Sequence, residues 1–235
     1  MLESEVLTML GVGFLLGLRH ALDADHLAAV STVLAERPSL AASSAVGLWW
    51  GIGHTMTLMM VGAVVIALEL RIPPNFEALA ESGVAILLVV LGGSLAMKVF
   101  RERWHVHPHR HDGEEHVHFH SHQVQHGHRH RHWVAATIRP LCIGMAHGLA
   151  GSAAVMVMTL SATERMAQGL FSIAMFGAGS IVGMMTIGVT ISLPLVFSLR
   201  MSRRVFLALQ GCASLASLCV GLGMLAKLIV IALSD

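Results

Sequence analysis

Hydrophobic positions along the chain fall in long blocks rather than at a period of two or of three to four. Six blocks stand out, at about 5–34, 40–69, 78–100, 134–160, 166–199 and 205–232. A run of about 20 apolar residues is what a helix needs to cross a bilayer core, so the pattern predicts six transmembrane helices. Most separators are short and polar: Glu36-Arg37-Pro38, Arg71-Ile72-Pro73-Pro74-Asn75, Glu164-Arg165 and Arg200-Met201-Ser202-Arg203-Arg204. The separator at 101–133 is long and unlike the rest of the chain. Blocks 1 and 5 exceed a straight span, since 30 helical residues rise roughly 45 Å against a core of about 30 Å. Each is expected to tilt or break. Block 1 holds Gly11, Gly13, Gly17 and an internal charge cluster; block 5 holds Gly177, Gly179, Gly183, Gly188 and Pro194.

Composition agrees with a membrane protein. Apolar residues make up 55% of the 235 positions and charged residues 12%, with a mean hydropathy of +0.71. A soluble domain carries about 25% charged residues, so this chain cannot cover a water-facing surface. The net charge of +1 and the lack of basic runs with interleaved aromatics give no reason to expect a nucleic-acid partner. Cys142, Cys212 and Cys219 all lie in apolar blocks, the wrong setting for a disulfide scaffold, and are expected to pack as small residues or to add a soft ligand. The N-terminus is acidic where a secretory leader would be basic, so no cleaved leader is expected.

Basic residues predict orientation. With six spans, one side holds Arg37, Arg101, Arg103, Arg110, Arg129, Arg131, Arg200, Arg203 and Arg204, while the other holds Arg71 and Arg165. The positive-inside rule then places the 101–133 separator in the cytoplasm of a multi-pass protein of the cytoplasmic (inner) membrane, with both termini outside. A repeat is also visible. Gly17-Leu18-Arg19-His20-Ala21-Leu22 resembles Gly144-Met145-Ala146-His147-Gly148-Leu149. Trp50-Gly51-Ile52-Gly53-His54 resembles Phe176-Gly177-Ala178-Gly179-Ser180, and Gly92 to Lys98 resembles Gly221 to Lys227. The offsets are 127, 126 and 129 residues. Because three spans is an odd number, the second copy enters from the opposite face, the inverted build common in secondary transporters.

The sharpest chemical feature is Arg19-His20-Ala21-Leu22-Asp23-Ala24-Asp25-His26, inside block 1. A charged group at a helix centre costs about 2.5–3.5 kcal/mol on insertion scales, so these charges call for partners, water or metal. On an ideal helix His20, Asp23 and His26 share an arc of about 120°, with Asp23 between the imidazoles. Two imidazoles and a carboxylate suit a borderline divalent cation such as Ni²⁺, Co²⁺ or Zn²⁺. Arg19 stands four residues before Asp23 and is placed to pair with it. Asp25 points the other way, so either it serves a second partner or the helix unwinds there and lets both carboxylates reach the site. The bland alternative is a buried Arg–Asp pair with hydrogen-bonded histidines.

His54, flanked by Gly51 and Gly53, is a further intramembrane candidate ligand. His147 is another, at the repeat position of His20 but without acidic companions. The 15 methionines are read as packing. Twelve of the 16 histidines fall between 105 and 132 in three alternating blocks: His105, His107, His109, His111; His116, His118, His120, His122; His126, His128, His130, His132. With few apolar residues around them they cannot build a core, and the segment reads as a flexible metal-collecting loop that loses metal as pH falls through about 6. The chain has no GxxxxGK[ST], HExxH or GxSxG motif, so ATP hydrolysis, zinc proteolysis and acyl transfer are not expected, and the protein is not read as an enzyme.

The run Arg19 to Ser31, RHALDADHLAAVS, resembles the nickel/cobalt transporter family, whose signature is a helix bearing H-A-x-D-A-D-H. Gly47 to Thr55, GLWWGIGHT, is similar to that family's next signature, an aromatic run ending in Gly-His-Ser/Thr. Together they cover 22 of the 235 residues. The resemblance implies metal-path roles for His20, Asp23, Asp25, His26 and His54. Where long family members carry an Asp-Thr-Ala-Thr-Glu-like signature this chain has His147 to Ser152. That departure and the short length resemble the compact urease-accessory nickel permease branch, whereas the histidine-rich loop resembles efflux members.

The sequence thus predicts an all-α polytopic membrane bundle of about six helices. Residues 1–100 form the first three-helix repeat with the metal motif, 101–133 the histidine-rich cytoplasmic loop and 134–235 the second repeat. The expected function is a permease for Ni²⁺ or Co²⁺, with uptake favoured over efflux. The alternatives are an efflux protein and a non-transporting metal-binding or delivery protein. The metal is substrate, and no cofactor is expected. Partners are the divalent ion, the lipid bilayer and nickel-enzyme maturation proteins.

Overall fold

The computed structural model describes residues 2–36, 38–68, 70, 73–103, 109–111, 114–116, 132–151 and 166–234. Among these residues are seven helices: α1 Leu2–His20, α2 Ala24–Glu36, α3 Leu40–Leu68, α4 Pro74–Arg103, α5 His132–Ala150, α6 Met166–Met201 and α7 Arg203–Ser234. In the long separator, β1 His109–His111 and β2 Glu114–His116 pair antiparallel, with Arg110 opposite Glu115. Apart from this hairpin the architecture is the all-α bundle the sequence predicts. The helices α3, α4, α6 and α7 are long and apolar enough to cross a bilayer, with mean hydropathies of 1.8, 2.2, 1.9 and 2.3 over their most apolar stretches. Blocks 1 and 4 supply shorter helices, and the predicted continuation of block 4 to 160 lies outside the described residues.

Of the two over-long blocks, one breaks and the other does not. Block 1 stops at His20, tightens through Leu22 N–H to the Arg19 carbonyl (2.9 Å) and Asp23 N–H to the His20 carbonyl (3.0 Å), and restarts as α2. The sequence supplies both ends of this break. Arg19 and His20 stand in the last turn of α1, where a helix dipole favours cations. Asp23 takes the N-cap position, its carbonyl accepting the Leu27 amide at 3.0 Å, and Asp25 stands in the first turn of α2. Block 5 instead runs as one 36-residue helix through Pro194, which at about 1.5 Å per residue is too long to stand upright in a bilayer.

Small residues set how the helices meet. A methyl on Gly17 would run into the Phe176 carbonyl and one on Gly144 into the Trp50 carbonyl, so both need glycine to let backbones approach. Contacts Gly13–Ser172 and Gly17–Phe176 make α1 and α6 parallel. Gly144–Trp50 and Gly148–His54 do the same for α5 and α3. Gly47–Met184, Gly51–Ile181 and Gly62–Ile173 make α3 and α6 antiparallel, and Gly92–Ser214 and Gly221–Ala85 make α4 and α7 antiparallel. These pairs exchange under the offsets read from the sequence. Gly17–Phe176 becomes Gly144–Trp50, Gly53–Leu141 becomes Gly179–Phe14, and Gly92–Ser214 becomes Gly221–Ala85.

Polar locks hold this packing where water cannot compete. Ser214 and Ser217 on α7 donate to the carbonyls of Gly92 (2.8 Å) and Leu88 (2.9 Å) on α4, and the Ser43 and Ser192 hydroxyls bond each other. Buried Gln210 donates to the Ala35 carbonyl at 2.7 Å, tying α2 to α7. At the end of α2, Glu36 accepts both guanidinium nitrogens of Arg139 on α5, at 2.6 and 2.9 Å, and its carbonyl accepts Lys98 of α4 at 3.3 Å. The ends of α2 and α4 and the start of α5, which flank the long separator, are therefore joined. The cysteines do not pack inside: Cys142, Cys212 and Cys219 are free and exposed on helix faces.

Candidate metal site

Because block 1 breaks, its two histidines reach the centre from different helices. His20 is the last residue of α1 and His26 the third of α2, yet their ring centroids are 4.7 Å apart. His54, in the middle of α3, completes a triangle with centroid distances of 5.2 Å to His20 and 5.4 Å to His26. One ring nitrogen from each of the three lies within 4.8 Å of the other two. His26 and His54 are buried and His20 nearly so. His147 of α5 is also buried and lies on the other side of His26, with centroids 5.1 Å apart.

The carboxylates are not where an ideal helix would put them. Asp23 meets His20 Nδ1 at 2.7 Å and Asp25 meets His26 Nδ1 at 3.1 Å. A carboxylate only accepts, so each imidazole donates its Nδ1–H and keeps its lone pair on Nε2. The expected arrangement, Asp23 between the imidazoles as a ligand, is replaced by two carboxylate–imidazole pairs. The cause is the turn at 21–23, which removes the common helical face. Arg19 does not pair with Asp23 either. It is exposed, and among the described residues it forms no ion pair.

Unmet hydrogen-bonding capacity concentrates here. Eight buried side-chain nitrogen and oxygen atoms among the described residues have no partner. Six of them belong to five neighbouring rings: Nε2 of His20, His26 and His147, both nitrogens of His54, and Nε1 of Trp50. Leaving such atoms unpaired costs about 1–3 kcal/mol each; the indole nitrogen can only donate, but each of the four neutral imidazoles offers one lone pair, and their convergence marks a place suited to something that accepts lone pairs. A divalent transition-metal ion does so, and imidazole nitrogen suits nickel, zinc and copper alike.

Two aromatic walls went unpredicted. Phe176 lies 5.3 Å from His20 and Trp50 lies 4.9 Å from His147, centroid to centroid. The repeat held the signal for both, since it pairs Trp50 with Phe176 and His20 with His147. Of the loop histidines, His105, His107, His118, His120, His122, His126, His128 and His130 lie outside the described residues. For His109, His111, His116 and His132 only the backbone is described.

The comparisons with known proteins match this arrangement of motifs. The NicO family, described as high-affinity nickel-transport protein, matches residues 6–233. The chain is 34% identical over 203 residues to urease accessory protein UreH of Bacillus sp. (strain TB-90), spanning 86% of this chain and 83% of that protein. It is 33% identical over 91 residues to a high-affinity nickel transport protein of Cupriavidus necator, spanning 36% of this chain and 23% of that protein. No solved structure matches.

Proposed function

The chain belongs to the NicO family of nickel transporters, and from that premise we propose that it is an uptake permease of the cytoplasmic membrane which carries Ni²⁺ on His20, His26 and His54. The observation that carries this reading is the convergence of three imidazoles, two buried and one partly buried, two of them paired with carboxylates. The carboxylates do two things. They hold Nε2 of His20 and His26 toward the centre and raise the basicity of those ligands, and their two negative charges offset the charge of a dehydrated divalent ion in hydrocarbon. His54, buried with neither nitrogen engaged, supplies the third ligand. Co²⁺ shares this ligand chemistry.

The contact pairs that exchange under the repeat offsets support two halves of opposite orientation around a central site, and rocking of such halves exposes the site to each side in turn. The histidine-rich segment 101–133 lies on the cytoplasmic side and buffers arriving metal. The relative named as a urease accessory protein favours supply of nickel inward, toward maturation of nickel enzymes. Export is the second reading, favoured by the same histidine-rich segment.

Nickel content of cells carrying the protein tests this. Uptake predicts more cell-associated nickel than in cells without it, a loss of that gain with His26→Ala, and a smaller change when 105–132 is deleted. A fall in nickel reverses the direction. An unchanged content with His26→Ala removes the site.

A further inference from the structure

His147 is set apart from the three-imidazole site by three observations. First, its protonation is fixed: Nδ1 lies 3.0 Å from the Ile143 carbonyl, which can only accept, so Nδ1 carries the hydrogen and Nε2 the lone pair. That Nε2 is buried and has no partner. Second, the His147 ring meets the site through His26, at 5.1 Å between centroids, and packs on Trp50 at 4.9 Å. The contacts Gly144–Trp50 and Gly148–His54 set His147 at about the depth of His54, on the neighbouring helix α5. Third, the other imidazoles all belong to residues 1–100, whereas His147 is carried by α5. A shift of α5 against α2 changes the spacing of His147 from His26 and leaves the spacings among His20, His26 and His54 as they are.

We infer that His147 and His26 form a second nickel station beside the three-imidazole site, and that the ion passes between the two by exchanging ligands across the shared His26. This rests on the transport reading above and adds to it an order of events. A site that binds well enough to strip water from an ion also holds it back, and a neighbouring station that takes over one ligand at a time lets it leave. No rehydration step in hydrocarbon is then needed. His26 keeps its bond to nickel while His20 and His54 let go and His147 takes hold. Atoms and charge are conserved throughout, since only coordinate bonds change.

The test is initial-rate uptake of radiolabelled nickel by proteoliposomes containing the full chain, with KM and maximal rate resolved for each variant. Wild type shows saturable flux. His54→Ala, which removes a ligand of the entry site, raises KM. His147→Ala lowers the maximal rate by at least about tenfold with KM within about threefold of wild type. His147→Asn keeps a donor for the Ile143 carbonyl but no lone pair at the Nε2 position, and it behaves like His147→Ala. Monodisperse elution from size exclusion in detergent confirms that each variant is folded. Wild-type rates in His147→Asn would make His147 a structural donor and overturn the inference. So would a KM raised as in His54→Ala, which would place His147 within the first site. If the wild type itself carries no nickel, the transport reading fails and this inference goes with it.

Discussion

The two stretches of chain before and after the long separator make matching glycine contacts and differ in the polar groups they carry. In the first, α1 stops at His20, the chain turns at Ala21 to Asp23, and α2 starts with Asp25 and His26. At the matching place in the second, α5 carries His147 and stays helical to Ala150, the residue opposite Asp23. On the next helix the first half has His54 and the second has Ser180, whose buried hydroxyl has no partner. The glycine contacts nevertheless exchange between halves, and so do the aromatic walls: Phe176 on His20, Trp50 on His147. Packing constrains both copies alike because backbone contact tolerates only small residues. Ligands face no such pressure, and one copy is enough to hold an ion. A helix break with acidic residues beside it is what distinguishes the first of the two matching stretches.

The carboxylates are where this contrast breaks most sharply. Asp25→Asn removes the acceptor that aims His26, and nickel transport at low nickel concentration should fall by about 10–100-fold, the usual cost of losing such a partner. Asp23→Asn should cost less. The Asp23 side chain is 54% exposed against 24% for Asp25, so water more readily replaces it. Radiolabelled uptake over a range of nickel concentrations reads both. A larger loss at Asp23 would reverse the order of importance within the first half.

The shared scaffold is tested by the pair Gly17→Ala and Gly144→Ala. Each methyl meets a backbone carbonyl that cannot swing away, so each should lower stability by about 1–3 kcal/mol, and the two by similar amounts. Gly11→Ala is the control, since nothing stands within 4 Å of the position; it should be neutral or slightly stabilising, as alanine is in a helix interior. Thermal unfolding in detergent measures all three. A large loss at one glycine and none at the other would mean the halves do not pack as copies.

Much of this was legible in the sequence, for reasons specific to the residues. Charged groups in an apolar block have no cheap structural use, so the octet at 19–26 drew attention to the place where the rings of His20 and His26 meet His54, and the block's excess length called for a tilt or a break, of which the structure shows the break at 21–23. His54 was legible from its glycine neighbours, and His147 only through the repeat. The carboxylate–imidazole pairs were legible only in part: an ideal helix put Asp23 between the imidazoles, while the alternatives offered for Asp25, a second partner or an unwound helix, left its contact with His26 open. The break of block 1 and the continuity of block 5 were not distinguishable from glycine content. What separates them is the N-cap aspartate and the terminal cations at 19–25, which block 5 lacks. Trp50 and Phe176 were hidden because an aromatic residue in an apolar block looks like packing until its neighbour is known.

The central claim is that imidazoles hold the ion and carboxylates aim them. X-ray absorption at the nickel edge tests it most directly, on protein loaded with one equivalent of Ni²⁺ after the twelve histidines between 105 and 132 are replaced by asparagine. Three imidazole nitrogens at about 2.0–2.1 Å are predicted, falling to two with His54→Ala and staying at three, with weaker binding, in Asp25→Asn. A nickel spectrum dominated by carboxylate oxygen that disappears with Asp25→Asn would contradict it.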